Sequence, residues 1–140
     1  VGYATASAEA TSNGHAGGIA HLFDVIYGYT IPAPTTASLP SKSFTASATA
    51  SYASLTLFET DGLAPPTLNT DLLGWVSSDN GTNYSQVTLS NSGYYGGTGA
   101  TSRILTSPAV ATTPGTLMKW KVTMANTKQF QINGAGLTWK

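Results

Sequence analysis

Residues 117–124 read Leu-Met-Lys-Trp-Lys-Val-Thr-Met, and the strict alternation of this stretch decides the fold. In an extended strand, the apolar residues of this stretch lie on one side; they are Met118, Trp120, Val122 and Met124. The polar residues between them fall on the opposite side. A period of two is typical of a β-strand with one face buried and the other face wet or covering an edge.

The same period recurs on both sides of this stretch. Seven further segments have the length and composition of short strands, at residues 43–49, 52–59, 72–77, 84–90, 102–106, 129–132 and 136–139. Turn residues separate them, chiefly Pro65-Pro66, Asp79-Asn80-Gly81, Ser92-Gly93, Pro114-Gly115 and Asn133-Gly134. About eight strands without helix-length connections predict an all-β fold, an antiparallel β-sandwich of jelly-roll type. We expect its core to contain the three indoles, which are Trp75, Trp120 and Trp139.

The composition changes near residue 40, which suggests one domain with an appendage. A chain of 140 residues supplies one core and not two. Residues 1–40 are rich in small residues and contain Pro32, Pro34 and Pro40, and only residues 19–29 hold a dense apolar group, with ambiguous helix and strand signals. We predict an N-terminal arm or connector over residues 1–40, which packs on the following domain or on another chain, and a β-sandwich domain over residues 41–140. A floppy terminus is the alternative.

Charge and composition exclude several classes of function. Six Lys and Arg balance six Asp and Glu, and charged residues make up 9% of the chain against roughly 25% in an ordinary soluble domain. The basic residues are scattered, so the sequence predicts no nucleic-acid binding. No apolar run approaches the ~18 residues that span a bilayer, so we expect no membrane segment. The absence of cysteine excludes thiolate chemistry, and we expect neither a cofactor nor a metal.

Residues 77–84 form a motif with a known physical role. The stretch Ser-Ser-Asp-Asn-Gly-Thr-Asn-Tyr resembles the Asp-box, Ser-x-Asp-x-Gly-x-x-aromatic, which occurs in hairpins of sialidases and other propellers. We expect Asp79 to accept backbone N–H groups across the turn, Asn80 and Gly81 to supply positive φ, and Tyr84 to pack beneath. A single copy argues against a propeller and predicts a structural hairpin.

Few residues are candidates for catalysis. Glu59, Asp61 and Asp71 are close enough in sequence to supply the carboxylate pair of a glycoside hydrolase, although solvated acids are ordinary in such a proline-rich loop. His15 and His21 have no characteristic metal spacing and are interpreted as surface or interface residues. The sequence therefore predicts that the protein is not an enzyme.

Tyr94 and Tyr95 are the candidate ligand-binding residues. They stand in a glycine-rich stretch, residues 92–101, that also carries hydroxyl groups. Exposed tyrosine rings beside hydroxyl and backbone donors can stack on sugars or anchor an interface at low entropic cost. The alternative is that one of the two rings caps the core beneath the loop.

A series of short motifs follows one order along the domain. It comprises residues 68–72 (Leu-Asn-Thr-Asp-Leu), 75–82 (Trp-Val-Ser-Ser-Asp-Asn-Gly-Thr), 86–89, 92–94, 103–105 (Arg-Ile-Leu), 114–116, 118–122, 125–126 and 134–139. The series resembles a module found near the carboxyl end of tailed-bacteriophage tail-fibre and related virion proteins, over roughly residues 44–139. Ser78 stands where that module has an arginine, Asn80 where it has a glycine, and residues 95–100 lengthen one loop, so the tip is expected to differ in what it contacts.

The resemblance implies a β-sandwich on the virion surface, in a homotrimer. Its expected role is host attachment, through receptor or glycan binding, and particle assembly with other virion proteins. Two alternatives remain open, a capsid decoration or cement protein and a carbohydrate-binding module of an extracellular enzyme. Low charge and hydroxyl-rich faces agree with a symmetric assembly in which subunits bury polar sheet surfaces against one another.

Overall fold

A computed structural model describes residues 35–95 and 101–140 and shows an all-β domain without a helix in those ranges. Its eight strands are β1 (Ala37–Pro40), β2 (Phe44–Asp61), β3 (Leu72–Ser77), β4 (Ser85–Val87), β5 (Ser90–Tyr94), β6 (Ser102–Thr106), β7 (Val110–Met124) and β8 (Phe130–Trp139). Every pair of neighbouring strands is antiparallel.

Two long strands, β2 and β7, connect the two halves of the structure. The first part of β2 pairs with the first part of β7, from Phe44 opposite Met118 to Ala53 opposite Val110. Beyond this ladder the strands diverge into different layers. Sheet A contains β4, β3, the second half of β7 and β1, and sheet B contains β5, β6, the second half of β2 and β8.

The sheet curls so that its two halves face each other across a common core. One close approach is at Gly74 of β3, where an added Cβ would lie 3.0 Å from a methyl carbon of Leu55 on β2. Fully buried side chains come from both layers, namely Leu55, Leu57 and Leu105 of sheet B and Leu72, Val76 and Met118 of β3 and β7. Each such burial stabilises the fold by about 1.5–3 kcal/mol relative to exposure. The predicted antiparallel β-sandwich is confirmed, and its jelly-roll connectivity stays a prediction.

The strand boundaries differ from the predicted ones where glycine or a bulge was interpreted as a turn. The predicted strands at 72–77 and 102–106 are confirmed residue for residue. Segments 43–49 and 52–59 form one strand, β2, with shifts of register between Thr45 and Tyr52. Segments 129–132 and 136–139 form one strand, β8, because the Asn133-Gly134 pair makes a bulge opposite Phe58 instead of a turn. The segment 84–90 divides between β4 and β5.

The first strand precedes the boundary predicted at residue 40. β1 pairs with the end of β7, from Ala37 opposite Met124 to Pro40 opposite Lys121. The compact unit that contains the sheets begins at Thr35. The apolar group at 19–29 and both histidines, His15 and His21, lie outside the described residues.

The prediction that all three indoles occupy the core is wrong for two of them. Trp75 alternates with buried Gly74 and Val76 and so lies on the outer face of β3, where its Nε1 donates a 3.0 Å hydrogen bond to Thr123 Oγ1. Trp139 is 37% exposed near the end of β8. Only Trp120 packs against the core, and it is half-buried.

The space between the layers is tight at Gly74. An added Cβ at Gly74 would lie 2.9 Å from Val87 and 3.0 Å from Leu55, so even one further methyl group has no space there. Alanine, leucine, valine and methionine side chains form the buried interior. On the outer face, the Lys121 ammonium covers the Trp75 ring at 5.1 Å and the Tyr84 ring at 4.2 Å. These cation–π contacts allow the indole to remain half-buried outside the core.

Candidate functional site

The Asp79 hairpin is a structural element with its polar groups satisfied internally. Both carboxylate oxygens of Asp79 accept hydrogen bonds from Asn83, one from its backbone N–H at 2.9 Å and one from its side-chain amide at 2.7 Å. Ser77 Oγ donates to the same carboxylate at 2.7 Å and accepts from the Gly81 N–H at 2.9 Å. The bonds from Asn83 hold the pKa of Asp79 below its usual value.

The backbone of this hairpin has the predicted conformation. Asn80 and Gly81 have φ of 62° and 79°, both in the left-handed region. Tyr84 packs beneath Gly81: a Cβ added to this glycine would lie 2.7 Å from the tyrosine hydroxyl oxygen. The Asn80 N–H donates to the Leu117 carbonyl at 2.8 Å, which attaches the hairpin to β7. These contacts are those expected of a structural hairpin.

A charged trio, Glu59, Asp61 and Arg103, lies on the neighbouring strands β2 and β6 of sheet B. Arg103 donates from Nε to Glu59 at 2.8 Å and from Nη2 to Asp61 at 2.7 Å. Glu59 is fully buried on the same strand face as Leu55 and Leu57, and one of its carboxylate oxygens has no hydrogen-bond partner among the described residues. Burial raises the pKa of the Glu59 carboxyl above its ordinary value, and the Arg103 guanidinium opposes that shift only in part.

The third acid considered for catalysis is held separately. Asp71 accepts hydrogen bonds from the Asn126 amide at 2.6 Å and from the Thr67 N–H at 2.9 Å, and Lys128 Nζ lies 4.0 Å away. These bonds, that of Asn126 first, lower the pKa of Asp71. Because Asp71 is 4% exposed and Glu59 is fully buried, neither carboxylate is open to a substrate. Their contacts are those of structural ion pairs and turns.

The two tyrosines of the candidate ligand site lie on opposite faces of sheet B. Tyr94 pairs with Arg103 across β5 and β6, on the face of the charged trio, and is 59% exposed. Tyr95 packs edge-on against the Phe58 ring, with ring centroids 5.6 Å apart and an interplanar angle of 82°. Its phenol oxygen accepts a 2.6 Å hydrogen bond from the Asn133 amide. The two rings therefore do not form one stacking platform.

Among residues 35–95 and 101–140, no group of three or more His, Asp or Glu side chains is placed to hold a metal ion. Within the same ranges, no helix has the length and apolarity needed to cross a membrane. Comparison with models of known protein families, with curated proteins and with solved structures found no match for this chain.

Sequence reasoning missed the charged trio and the residues around Tyr95. Glu59 follows Leu55 and Leu57 at intervals of two, which was a signal that this acid faces the core. Its partner Arg103 lies 44 positions further along the chain, and no local pattern connects them. Phe58 and Asn133 had no signal of their own, because only the pairing of β2 with β8 brings them to one face.

Proposed function

We propose that this chain is a structural and attachment module of a bacteriophage virion surface, which binds a saccharide of the host envelope at Tyr94. The motif order that resembles tail-fibre modules supports the virion assignment. The observation that carries the binding role is one exposed tyrosine, Tyr94, directly opposite Arg103 of the charged trio.

The chemistry of this end suits a ligand rich in hydroxyl groups. Arg103 has five N–H donors, of which Glu59 and Asp61 take one each through hydrogen bonds. Asp61 is partly exposed and uses one carboxylate oxygen in its bond to Arg103. The remaining donors and the second carboxylate oxygen can bind adjacent hydroxyls of a sugar whose apolar face stacks on the Tyr94 ring.

Replacing Tyr94 with alanine is expected to weaken saccharide binding about tenfold, since stacking on an exposed ring contributes on the order of 1 kcal/mol or more. The binding of the full chain to immobilised lipopolysaccharide and to teichoic acid checks this. Tyr52→Ala is the matched control, because Tyr52 is a comparably exposed tyrosine, at 45%, and lies on β2, whereas Tyr94 lies on β5. Equal binding by the Tyr94 and Tyr52 variants, or no binding by the unmodified protein, would contradict the role of Tyr94.

The proposed module is a homotrimer that contacts other virion proteins. Large apolar side chains remain exposed on a single copy, including Leu39 at 50% and Phe44 at 45%, and their burial between copies would stabilise an assembly. Sedimentation equilibrium is expected to give three times the 14.4 kDa chain mass. A monomer that persists at high protein concentration would reject this part of the proposal.

A further inference from the structure

The outer face of sheet B carries a second surface with features of a binding site, which we term the Phe58 patch. It consists of Phe58, Thr60, Tyr95, Ser102 and Asn133. The Asn133 amide donates to Thr60 Oγ1 at 2.8 Å and to the Tyr95 phenol oxygen at 2.6 Å, and the Thr60 and Ser102 hydroxyls are 2.7 Å apart. These bonds fix three hydroxyls and one amide beside an aromatic ring that is 38% exposed.

The patch presents polar groups that can still form hydrogen bonds to a ligand. Both amide hydrogens of Asn133 are used within the patch, so its carbonyl oxygen is the group left to accept, and no described residue donates to it. The Tyr95 ring stands nearly perpendicular to the Phe58 ring and forms a wall at its edge. The Phe58 ring, the Tyr95 ring and the hydroxyl groups around them are thus positioned by contacts within the patch. Groups that are positioned before a ligand binds reduce the entropic cost of binding.

Two glycines leave a shallow trough beside the Phe58 ring. Gly134 is opposite Phe58 and Gly136 is opposite Thr56, so two successive outward positions of β8 have no side chain. Along an extended strand these positions are about 7 Å apart, which accommodates one pyranose ring. A Cβ at Gly134 would lie 3.3 Å from the Phe58 ring, so glycine at this position also keeps the ring unobstructed.

The patch carries no formal charge, which limits what it can bind. Its members are aromatic, hydroxyl or amide residues, whereas the neighbouring Glu59, Asp61 and Arg103 alternate to the opposite face of the sheet. A carboxylate, sulfate or phosphate on a ligand would lose hydration here without gaining a cationic partner within the patch. A neutral ring with an apolar face and several hydroxyls matches both the aromatic floor and the polar rim.

We infer that the Phe58 patch is a binding site for neutral hexopyranosides, separate from the proposed Tyr94 site on the opposite face. The ring of Phe58 supports the apolar face of the sugar. Asn133, Thr60 and Ser102 hydrogen-bond its hydroxyls, and the trough at Gly134 and Gly136 receives its edge. This assignment does not depend on whether Tyr94 binds anything.

Saturation-transfer difference NMR on the full chain tests the inference. The probes are the methyl glycosides of glucose, galactose, mannose and N-acetylglucosamine, with the methyl glycoside of sialic acid as the charged comparator. At least one neutral probe is expected to receive saturation, and Phe58→Ala is expected to raise its dissociation constant about tenfold. Tyr52→Ala is expected to leave that constant unchanged.

A second variant covers the case in which Phe58→Ala perturbs the fold. Gly136→Gln adds a side chain that fills the trough, and the position tolerates a Cβ, whose nearest neighbour would be Thr56 at 3.8 Å. This variant is expected to abolish binding while circular dichroism remains that of the unmodified protein. Loss of binding in both variants supports the Phe58 patch.

The remaining outcomes overturn the inference and distinguish it from the Tyr94 proposal. Binding that both Phe58→Ala and Gly136→Gln retain but Tyr94→Ala loses would reject the Phe58 patch and support the Tyr94 site. Sialoside binding as strong as that of the neutral probes would reject the neutral class. The absence of saturation on every neutral probe would reject the inference whatever the result with immobilised envelope polymers.

Discussion

Arg103→Met is expected to lower the free energy of unfolding by about 3–5 kcal/mol, because removing one partner of a buried ion pair leaves uncompensated charge behind. Glu59 is fully buried and Asp61 is largely covered, and both take their hydrogen bonds from this guanidinium. Methionine keeps most of the length and apolar surface of the arginine side chain. The loss of unfolding free energy therefore reflects the removal of the guanidinium charge. Urea unfolding followed by tryptophan fluorescence measures it.

The loss caused by Arg103→Met is expected to depend on pH in a defined direction. Burial raises the pKa of Glu59, so the folded protein binds its proton more tightly than the unfolded chain, where the ordinary value is 4.5. Stability gained from this group therefore increases as pH falls from neutrality through the folded pKa toward 4.5. Without Arg103, which lowers that pKa, the gain on acidification becomes larger. Much of the deficit at pH 7 should thus be recovered near pH 5.

Two other carboxylates, those of Asp71 and Asp79, act in a different pH window from that of Glu59. Asp71 and Asp79 have pKa values below the ordinary 3.8, and the stability that they contribute is lost only as pH falls below about that value. Adding Glu59→Gln to Arg103→Met is expected to restore part of the stability at pH 7 and to remove the recovery at pH 5. A deficit that is equal at both pH values would show that lost packing, and not buried charge, is the cause.

The sequence was most informative where the structure is local. The Asp79 hairpin depends on contacts within eight residues, so its side-chain roles were predictable from spacing and turn chemistry alone. The strand at 72–77 was predictable because its alternation meets one buried and one outer face. The hairpin prediction rests on turn chemistry and the strand prediction on the period of side chains along one strand, and neither needs knowledge of the partner strands.

The sequence was less informative where two distant strands meet. Burial of all three indoles was predicted, but Trp75 lies on the outer face of β3 and Trp139 is 37% exposed. Tyr94 and Tyr95 lie on opposite faces because neighbouring residues alternate along an extended chain. This placement would have been predictable if the strand predicted at 84–90 had been extended to residue 95. The pairing of Glu59 with Arg103 and of Phe58 with Gly134 depends on register between strands, which composition does not encode.

Gly115→Ala is expected to lower the free energy of unfolding by about 3 kcal/mol or more, at the upper end of the range for overpacking. A Cβ at Gly115 would lie 2.0 Å from the Ser78 carbonyl oxygen, an impossible contact with backbone that has no rotamer by which to yield. That carbonyl accepts the Leu117 N–H at 3.2 Å, and the Leu117 carbonyl accepts the Asn80 N–H at 2.8 Å. Moving Ser78 away therefore disrupts both bonds that attach the Asp79 hairpin to β7.

Gly136→Ala is the matched control for this steric argument, since both glycines lie in strands and neither has a positive φ. At Gly136 the nearest atom to an added Cβ is the Thr56 Cβ at 3.8 Å, an ordinary contact. Alanine loses less backbone entropy on folding than glycine, so this variant is expected to gain about 0.5 kcal/mol. Thermal and urea unfolding of both variants check the pair. Similar losses of unfolding free energy at the two positions would mean that these strands tolerate no substitution in general, and that the Ser78 carbonyl is not the cause. A loss confined to Gly115→Ala would support the close contact between β7 and the Ser78 carbonyl.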